Sequence, residues 1–359
     1  MTEGRQLVAV EDQLGPVRPQ HRFDEAALAA WLAERLDGFG GKLAVRQFQG
    51  GQSNPTFELA TPARRCVLRK KPPGKLLPSA HQVEREYRVL SALAGSAVPV
   101  PRPLLLCEDA AVIGTEFYVM EFVDGRIFAD PALPGLAPEE RRAVYDGMIA
   151  VLAELHGFDW RAGGLEGFGR PQGYVARQIE RWSQQYKLAE TEPIAEMDRL
   201  IAWLRERRPE EGAATIAHGD YRLGNLILHP SEPRILAVLD WEIATIGDPL
   251  ADLGYAAIAY RRGREGVRLD GLLGLDLAAL GIPDEAAFVA AYCALTGRAG
   301  IPDWPFYLAF SLFRLAAIAQ GVYARSLQGN AADRSAGQFG IIARGTAEAG
   351  WSVARQAGG

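Results

Sequence analysis

Between Asp24 and Leu36 the apolar residues Leu28, Trp31, Leu32 and Leu36 recur at helical spacing, with Asp24 placed to cap the first turn and Gly38 to stop the run. The period then shortens. From Leu43 to Lys70 short β-type runs break at Gly50-Gly51-Gln52-Ser53-Asn54-Pro55 and again at Thr61-Pro62, which predicts three antiparallel strands. Helical spacing returns over Ser79–Ala94, with Val83, Tyr87, Leu90 and Leu93 on one face, and ends before the proline-rich segment Pro99–Pro103. Two more strands are expected at Leu104–Cys107 and Glu116–Phe122, followed by a hinge marked by Asp124-Gly125 and the run Pro131–Pro138. Beyond it helices dominate: Glu139–His156, Gly173–Lys187, Ile194–Arg207, Glu285–Leu295 and Trp304–Leu327, interrupted by one β stretch at Asn225–Asp240. The pattern is that of an α+β chain: a helical lead-in over 1–40, a mostly sheet N-lobe over 41–123, and a mainly helical C-lobe over 124–359.

Composition narrows the class. With 359 residues, 48% hydrophobic and 23% charged, the chain has an ordinary globular make-up and ample length for a core. Thirty-nine basic against 44 acidic side chains give a net charge of −5, which offers no general field for nucleic acid or anionic lipid. Cys66, Cys107 and Cys293 are odd in number and widely spaced, so they read as reduced core thiols. Met1–Pro19 carries Glu3, Glu11 and Asp12 and lacks the apolar run of a secretory signal. The most apolar stretch, Pro305–Ala324, is broken by Arg314, which favours a buried helix over a membrane span. The expectation is a cytoplasmic protein with neither membrane nor nucleic-acid partners.

Candidate chemistry concentrates where the helical series is interrupted. Ala217-His218-Gly219-Asp220-Tyr221-Arg222-Leu223-Gly224-Asn225 leads into Leu226-Ile227-Leu228, a polar turn over His229–Pro233, and Ile235–Asp240. If the two apolar runs pair as a hairpin, Asn225 falls opposite Asp240, and directly opposed residues have Cα atoms about 5 Å apart. An amide oxygen beside a carboxylate suits Mg²⁺, which keeps waters and takes other ligands from phosphates. Asp220 lies five residues before Asn225, near enough in sequence to serve as a base on a hydroxyl.

The pattern Asp-x-x-x-x-Asn followed by a strand-borne Asp is similar to the catalytic loop and metal aspartate of kinases. His218-Gly219-Asp220 and Asp240-Trp241-Glu242 resemble the aminoglycoside and choline phosphotransferase family. With Gly51–Phe57, Val67–Gly74 and Ile113–Glu121, the resemblance extends to the kinase domains fused to acyl-CoA dehydrogenases and their free-standing bacterial relatives, over about Phe48–Leu253.

That resemblance implies a bilobal protein-kinase-like fold, ATP as co-substrate and Mg²⁺ as cofactor. It implies a phosphate-binding turn at Gly50, Gly51, Gln52, Ser53 and Asn54. Arg69 or Lys70 would reach the α- and β-phosphates, the family favouring Arg69; strand parity puts the two on opposite faces without choosing between them. Glu86 is the expected ionic partner, with Glu84 in reserve. Met120, Glu121 and Val123 would meet the adenine edge. Asp220 would be the base, Asn225 and Asp240 the metal ligands, and Asp252 a buried acceptor for the catalytic-loop backbone, with Asp248 a helix cap. Arg222 is either a cation stabilising the transferred phosphoryl group or a surface arginine.

For the acceptor, Arg261, Arg262, Arg264 and Arg268 form a basic cluster suited to an anionic molecule such as a CoA ester, or else an exposed arginine loop. Trp182, Tyr186, Trp304, Phe306, Tyr307 and Phe310 are either an acyl pocket or core. The resemblance favours a 4-hydroxyacyl-CoA ester in hydroxy-acid catabolism, with an acyl-CoA dehydrogenase as functional partner. An aminoglycoside or amino-alcohol kinase, or an inactive kinase-like binding module, is the alternative.

Overall fold

In the computed structural model the described residues are 8–49, 54–73, 81–264, 270–327 and 337–358. The first stretch of chain forms β1 (Val8–Ala9), β2 (Leu14–Gly15), α1 (Glu25–Ala33), β3 (Ala44–Phe48), β4 (Thr56–Ala60), β5 (Arg65–Lys70), α2 (Val83–Leu93), β6 (Pro103–Cys107), β7 (Phe117–Glu121) and β8 (Arg126–Ile127). There follow α3 (Pro138–Gly157), α4 (Tyr174–Ala189), α5 (Ala195–Glu206), β9 (Thr215–Ala217), β10 (Leu226–Leu228), β11 (Ile235–Val238) and β12 (Thr245–Gly247). The rest is helical: α6 (Pro249–Ala256), α7 (Leu277–Leu280), α8 (Glu285–Thr296), α9 (Trp304–Leu327) and α10 (Gln338–Gln356).

These elements divide into two compact units that are discontinuous in sequence: Met1–Phe128 with Trp160–Glu166 and Asn225–Ala244, and Ala129–Asp159 with Gly167–Gly224 and Thr245–Gly359. The hairpin Asn225–Ala244, which follows the helical stretch in sequence, thus packs with the sheet of the first unit.

The first unit is built on a six-stranded antiparallel sheet in the order β2-β3-β4-β5-β7-β6. Alternation along β5 sets its two faces: Cys66 and Leu68 join Phe57, Leu59, Phe117 and Val119 in a core closed by Leu28 and Leu32 of α1, while Val67 and Arg69 point the other way. Fully burying each Leu or Phe of this kind stabilises by about 1.5–3 kcal/mol. Helix α1 starts where its sequence dictates, the Asp24 carboxylate accepting from the Ala26 and Ala27 N–H groups. Helix α2 buries Val83, Val89, Leu90 and Leu93 and, with them, Glu86.

A second sheet in the same unit runs β1-β8-β10-β11. The segment 8–15 belongs to both sheets, β1 pairing with β8 and β2 with β3. Between them Glu11 pairs with Arg46 and Arg65, both of which also bond the buried Glu58 carboxylate.

The second unit is a helical assembly around α9, which buries Phe306–Ala317 almost without break and packs against α4, α5, α6 and α10. Among the described residues α9 is the helix long and apolar enough to cross a membrane, and most of it is buried within this unit. Helix α10 is not among the helices expected from the sequence. Its buried face carries Ile342 and Val353 with Gly340, Ala343, Ala347, Gly350 and Ala354, small residues that permit close approach. A Cβ at Gly350 would lie 3.1 Å from Leu200 Cδ1 and 3.2 Å from Leu312 Cβ. Closer still is α6 on α9, where a Cβ at Gly254 would fall 2.6 Å from the Tyr307 carbonyl oxygen. All three cysteines are free and buried, and burial pushes each thiol above its ordinary pKa.

Candidate active site

The chemistry-bearing residues fall into two sets, one in each unit. In the second unit, β9 pairs with β12 and delivers the chain into His218–Gly224. Asp252, on α6 and 1% exposed, accepts from the backbone N–H of His218 and, at 2.7 Å, of Gly219. Burial alone would raise this carboxyl, but the His156 imidazole beside it, His218 and the backbone donor outweigh that and hold it below its usual range. His156 is in turn fixed by a 2.7 Å bond between Nδ1 and the Tyr292 hydroxyl. Gly219 adopts φ +86°, a left-handed conformation suited to glycine, where the loop turns towards Asp220.

Asp220 is held on several sides. Its N–H donates to His218 Nδ1 at 3.1 Å, which makes the buried His218 a scaffold residue. Arg222 Nε lies 3.3 and 3.4 Å from its two carboxylate oxygens. The Tyr255 hydroxyl, from α6, comes close to the carboxylate; burial and then the Asp220 charge push that phenol well above its ordinary range, so it keeps its proton. Tyr255 carries no local motif and was invisible in the sequence. Asp248 caps α6 by accepting from Leu250 N–H at 2.8 Å.

In the first unit, Arg69 Nε lies 3.1 Å from Glu86, and Nη2 reaches Asp240 at 2.9 Å and Glu242 at 3.4 Å. One guanidinium therefore lies against three carboxylates, donating from Nη2 to Asp240 and Glu242 and paired by charge with Glu86. Burial raises the Glu86 carboxyl to about 7; Arg69 opposes the rise while Asp240 and Glu242 add to it. Asn54 Nδ2 and the Tyr118 hydroxyl complete the shell of Glu86 at 2.6 and 3.1 Å. Glu84 pairs instead with Lys71, 3.2 Å away.

Lys70 is separated from this cluster by strand parity. It is 4% exposed and sits over the rings of Phe23 and Phe57 at 6.0 and 5.9 Å, on the α1 side of the sheet, where burial lowers its pKa. Of the two candidate cations, Arg69 is the one placed with Glu86.

The hairpin register differs from the expected one. Leu226 pairs with Val238, and Leu239 N–H donates to the Asn225 carbonyl at 2.8 Å, so Asn225 faces Leu239. Asp240 follows one residue later at φ +66°, a left-handed conformation uncommon outside glycine, asparagine and aspartate. Trp241 anchors the turn, its buried indole N–H donating to the Val238 carbonyl at 2.9 Å. Asn225 is buried, whereas the Asp240 side chain keeps 40% of its surface. Among the described residues no three His, Cys, Asp or Glu side chains cluster as a metal cage. Asn225 and Asp240 are an oxygen-only donor set of the kind that fits a hard divalent ion completed by phosphate and water.

Gly50, Gly51, Gln52 and Ser53 lie outside the described residues. Asn54 is spent on the fold, bonding Glu86 through Nδ2 and His81 through Oδ1. Met120 is buried in β7, Glu121 ends that strand with its N–H on the Arg102 carbonyl at 2.9 Å, and Val123 packs on the buried cluster of Val10, Ile227 and Ala237.

The acceptor features look different in three dimensions. Arg261 forms a two-point pair with Glu285 at 2.6 and 2.9 Å, and Arg264 pairs with Asp130 at 2.9 and 2.6 Å. Two of the four clustered arginines are thereby neutralised within the unit, and Arg268 lies outside the described residues. Tyr186, Phe306, Tyr307 and Phe310 are core, with Trp182 and Trp304 partly buried.

A sheet-based unit carrying an Arg–Glu pair and an Asn/Asp hairpin, with a helical unit carrying a buttressed aspartate loop, defines a kinase-like phosphotransferase. The chain belongs to the phosphotransferase enzyme family, whose sequence profile matches residues 44–310. It is 46% identical over 344 residues to mouse (Mus musculus) acyl-CoA dehydrogenase family member 10, covering 96% of this chain and 32% of that protein. It is 43% identical over 352 residues to human (Homo sapiens) member 11, covering 96% and 45%. The chain thus spans a third to a half of the curated relatives it matches. Among solved structures, a Ralstonia eutropha protein described provisionally as an aminoglycoside phosphotransferase superposes with TM-score 0.85 at 50% identity, covering 93% of this chain and 99% of that one. Choline kinase from Cryptosporidium parvum shares the fold alone, with TM-score 0.63, 14% identity and coverage of 93% and 96%.

Proposed function

We propose that the protein transfers the γ-phosphoryl group of ATP to the hydroxyl of a hydroxyacyl-CoA ester, a 4-hydroxyacyl-CoA being the favoured case. Asp220 accepts the acceptor's hydroxyl proton as the new O–P bond forms and the bond to the ADP oxygen breaks. Arg222 stabilises charge on the transferred group. Arg69, braced by Glu86, contacts the α- and β-phosphates, and backbone groups of Gly50–Ser53 line the phosphates. The Glu121 carbonyl and Val123 N–H meet the adenine edge, beside Met120. Asn225 and Asp240 hold Mg²⁺, which would supply charge neutralisation on the β- and γ-phosphates.

The observation carrying the acceptor reading is the likeness of nearly the whole chain, at 43–46% identity, to part of proteins named acyl-CoA dehydrogenases. A kinase region in one polypeptide with an enzyme of that name points to a CoA ester bearing a hydroxyl, and to an acyl-CoA dehydrogenase as functional partner. The 3.3 Å approach of Arg222 to Asp220 further disfavours a polycationic acceptor.

The test is Mg·ATP consumption across matched panels of hydroxyacyl-CoA esters, free hydroxy acids, aminoglycosides and choline-like alcohols. Turnover confined to the thioesters is the expected result; turnover on aminoglycosides alone would reverse the acceptor assignment. Asp220→Asn should fold normally and lose about 10²-fold or more of turnover.

A further inference from the structure

Arg314 interrupts the apolar run of α9 between Phe313 and Leu315 and is itself 4% exposed. Among the described residues its guanidinium makes a single hydrogen bond, from Nη2 to the carbonyl oxygen of Gly219, and Nε is buried without an acceptor. Two rings flank it, Tyr255 at 4.9 Å and Trp182 at 5.7 Å. A cation buried without a facing carboxylate is costly, and an apolar side chain of similar volume would fill such a site more stably. Cation–π attraction to the two rings recovers part of that cost. Stability of α9 therefore does not explain the choice of arginine, and the explanation lies in what Arg314 touches.

Both of its polar-side contacts lead to Asp220. Gly219 is the preceding residue, and its carbonyl fixes the orientation of the peptide joining it to Asp220. Tyr255 is the residue whose hydroxyl comes close to the Asp220 carboxylate and feels its charge. We infer that Arg314 is a positioning residue for phosphoryl transfer, clamping the Gly219 carbonyl and the Tyr255 ring so that Asp220 is held in one orientation. Asp252 secures the same loop from its N–H side, so the backbone before Asp220 is fixed through donors by one residue and through its acceptor by another. Arg314 touches no reacting atom in this account, and the inference rests on Asp220 being the base.

The experiment compares full-length wild type with Arg314→Lys, Arg314→Met and Tyr255→Phe, reading thermal melting, kcat, and KM for Mg·ATP and acceptor. Misplacing the base should appear in kcat with both KM values within about twofold of wild type. Arg314→Met should lose at least about tenfold in kcat, and Arg314→Lys, which can still donate to the Gly219 carbonyl, should recover much of that loss. Tyr255→Phe should lose kcat in the same manner. Wild-type kcat in a folded Arg314→Met protein overturns the inference. Should that variant fail to fold, Arg314→Lys and Tyr255→Phe decide: reduced kcat at unchanged KM supports it, and wild-type kcat in both overturns it. A wild type that phosphorylates no alcohol would sink the phosphotransfer reading itself, an outcome distinct from active wild type with indifferent variants.

Discussion

Asn225 and Asp240 sit at the end of one hairpin without being cross-strand partners: Leu239 takes the position facing Asn225, and Asp240 turns away from the ladder at φ +66°. That conformation costs a non-glycine residue about 1–2 kcal/mol, least for Asp and Asn. Asp240→Asn should therefore melt within a few degrees of wild type, whereas Asp240→Ala should be less stable by about 1 kcal/mol more. Both should lose about 10²-fold or more in phosphoryl transfer, since neither retains the carboxylate. Differential scanning calorimetry beside a coupled kinase assay separates the two effects, and equal melting of the Ala and Asn variants would contradict the strain argument.

Neighbours on one strand, Arg69 and Lys70, should behave as opposites. Arg69→Met removes the cation that pairs with Glu86, Asp240 and Glu242, and should raise the Kd for Mg·ATP by at least about tenfold. Lys70→Met places an apolar side chain of similar length among Phe23 and Phe57 and should leave nucleotide affinity unchanged, with stability equal or slightly higher. Titration with a fluorescent ATP analogue reads both; weakened binding in the Lys70 variant would reassign the phosphate contact.

Glu86 gives a pH signature. Its carboxyl is raised from the ordinary 4.5 to about 7, so between these values the folded state binds more protons than the unfolded one. Its contribution to stability is fully present below about pH 4.5 and is lost as pH rises through about 7. Glu86→Gln should flatten that part of the profile, so the urea midpoint of wild type relative to the variant should fall from pH 5 to pH 7. Asp252 runs in the other direction: its lowered pKa gives stability that is present above the ordinary 3.8 and lost in stronger acid. A difference that rises with pH across 5–7 would refute the Glu86 assignment.

Gly254 tests the packing of α6 on α9. An added methyl there would meet the Tyr307 carbonyl at 2.6 Å and Ser311 Oγ at 2.9 Å, both on α9. Backbone cannot yield cheaply, so Gly254→Ala should destabilise by about 1–3 kcal/mol. Chemical denaturation measures it, and an unchanged midpoint would mean that α6 can shift freely along α9.

Much of the fold was legible because its helices announce themselves: α9 spans the residues its apolar run predicts, and α3, α4, α5 and α8 begin and end within a few residues of their expected limits. Helix α10 was passed over although its apolar and polar positions segregate to opposite faces, glycine and alanine making up much of the buried one. The Asp220, Asn225 and Asp240 pattern was readable as a motif, but the hairpin register was not: the shift between Ile227 and Leu228 is a backbone irregularity without a sequence mark. Tyr255 and Arg314 reach the Asp220 loop from α6 and α9, and Val10 and Ile227 form, with Ala237, the cluster on which Val123 packs. Such convergence is a product of tertiary packing, which spacing along a chain does not encode.

The burial of Cys66, Cys107 and Cys293 has a practical consequence. With the native thiols shielded and reluctant to ionise, a cysteine introduced on the surface would be the preferred target of a maleimide probe under mild conditions. Paired labels, one per unit, would test in solution, on an otherwise native background, whether added nucleotide changes the distance between them.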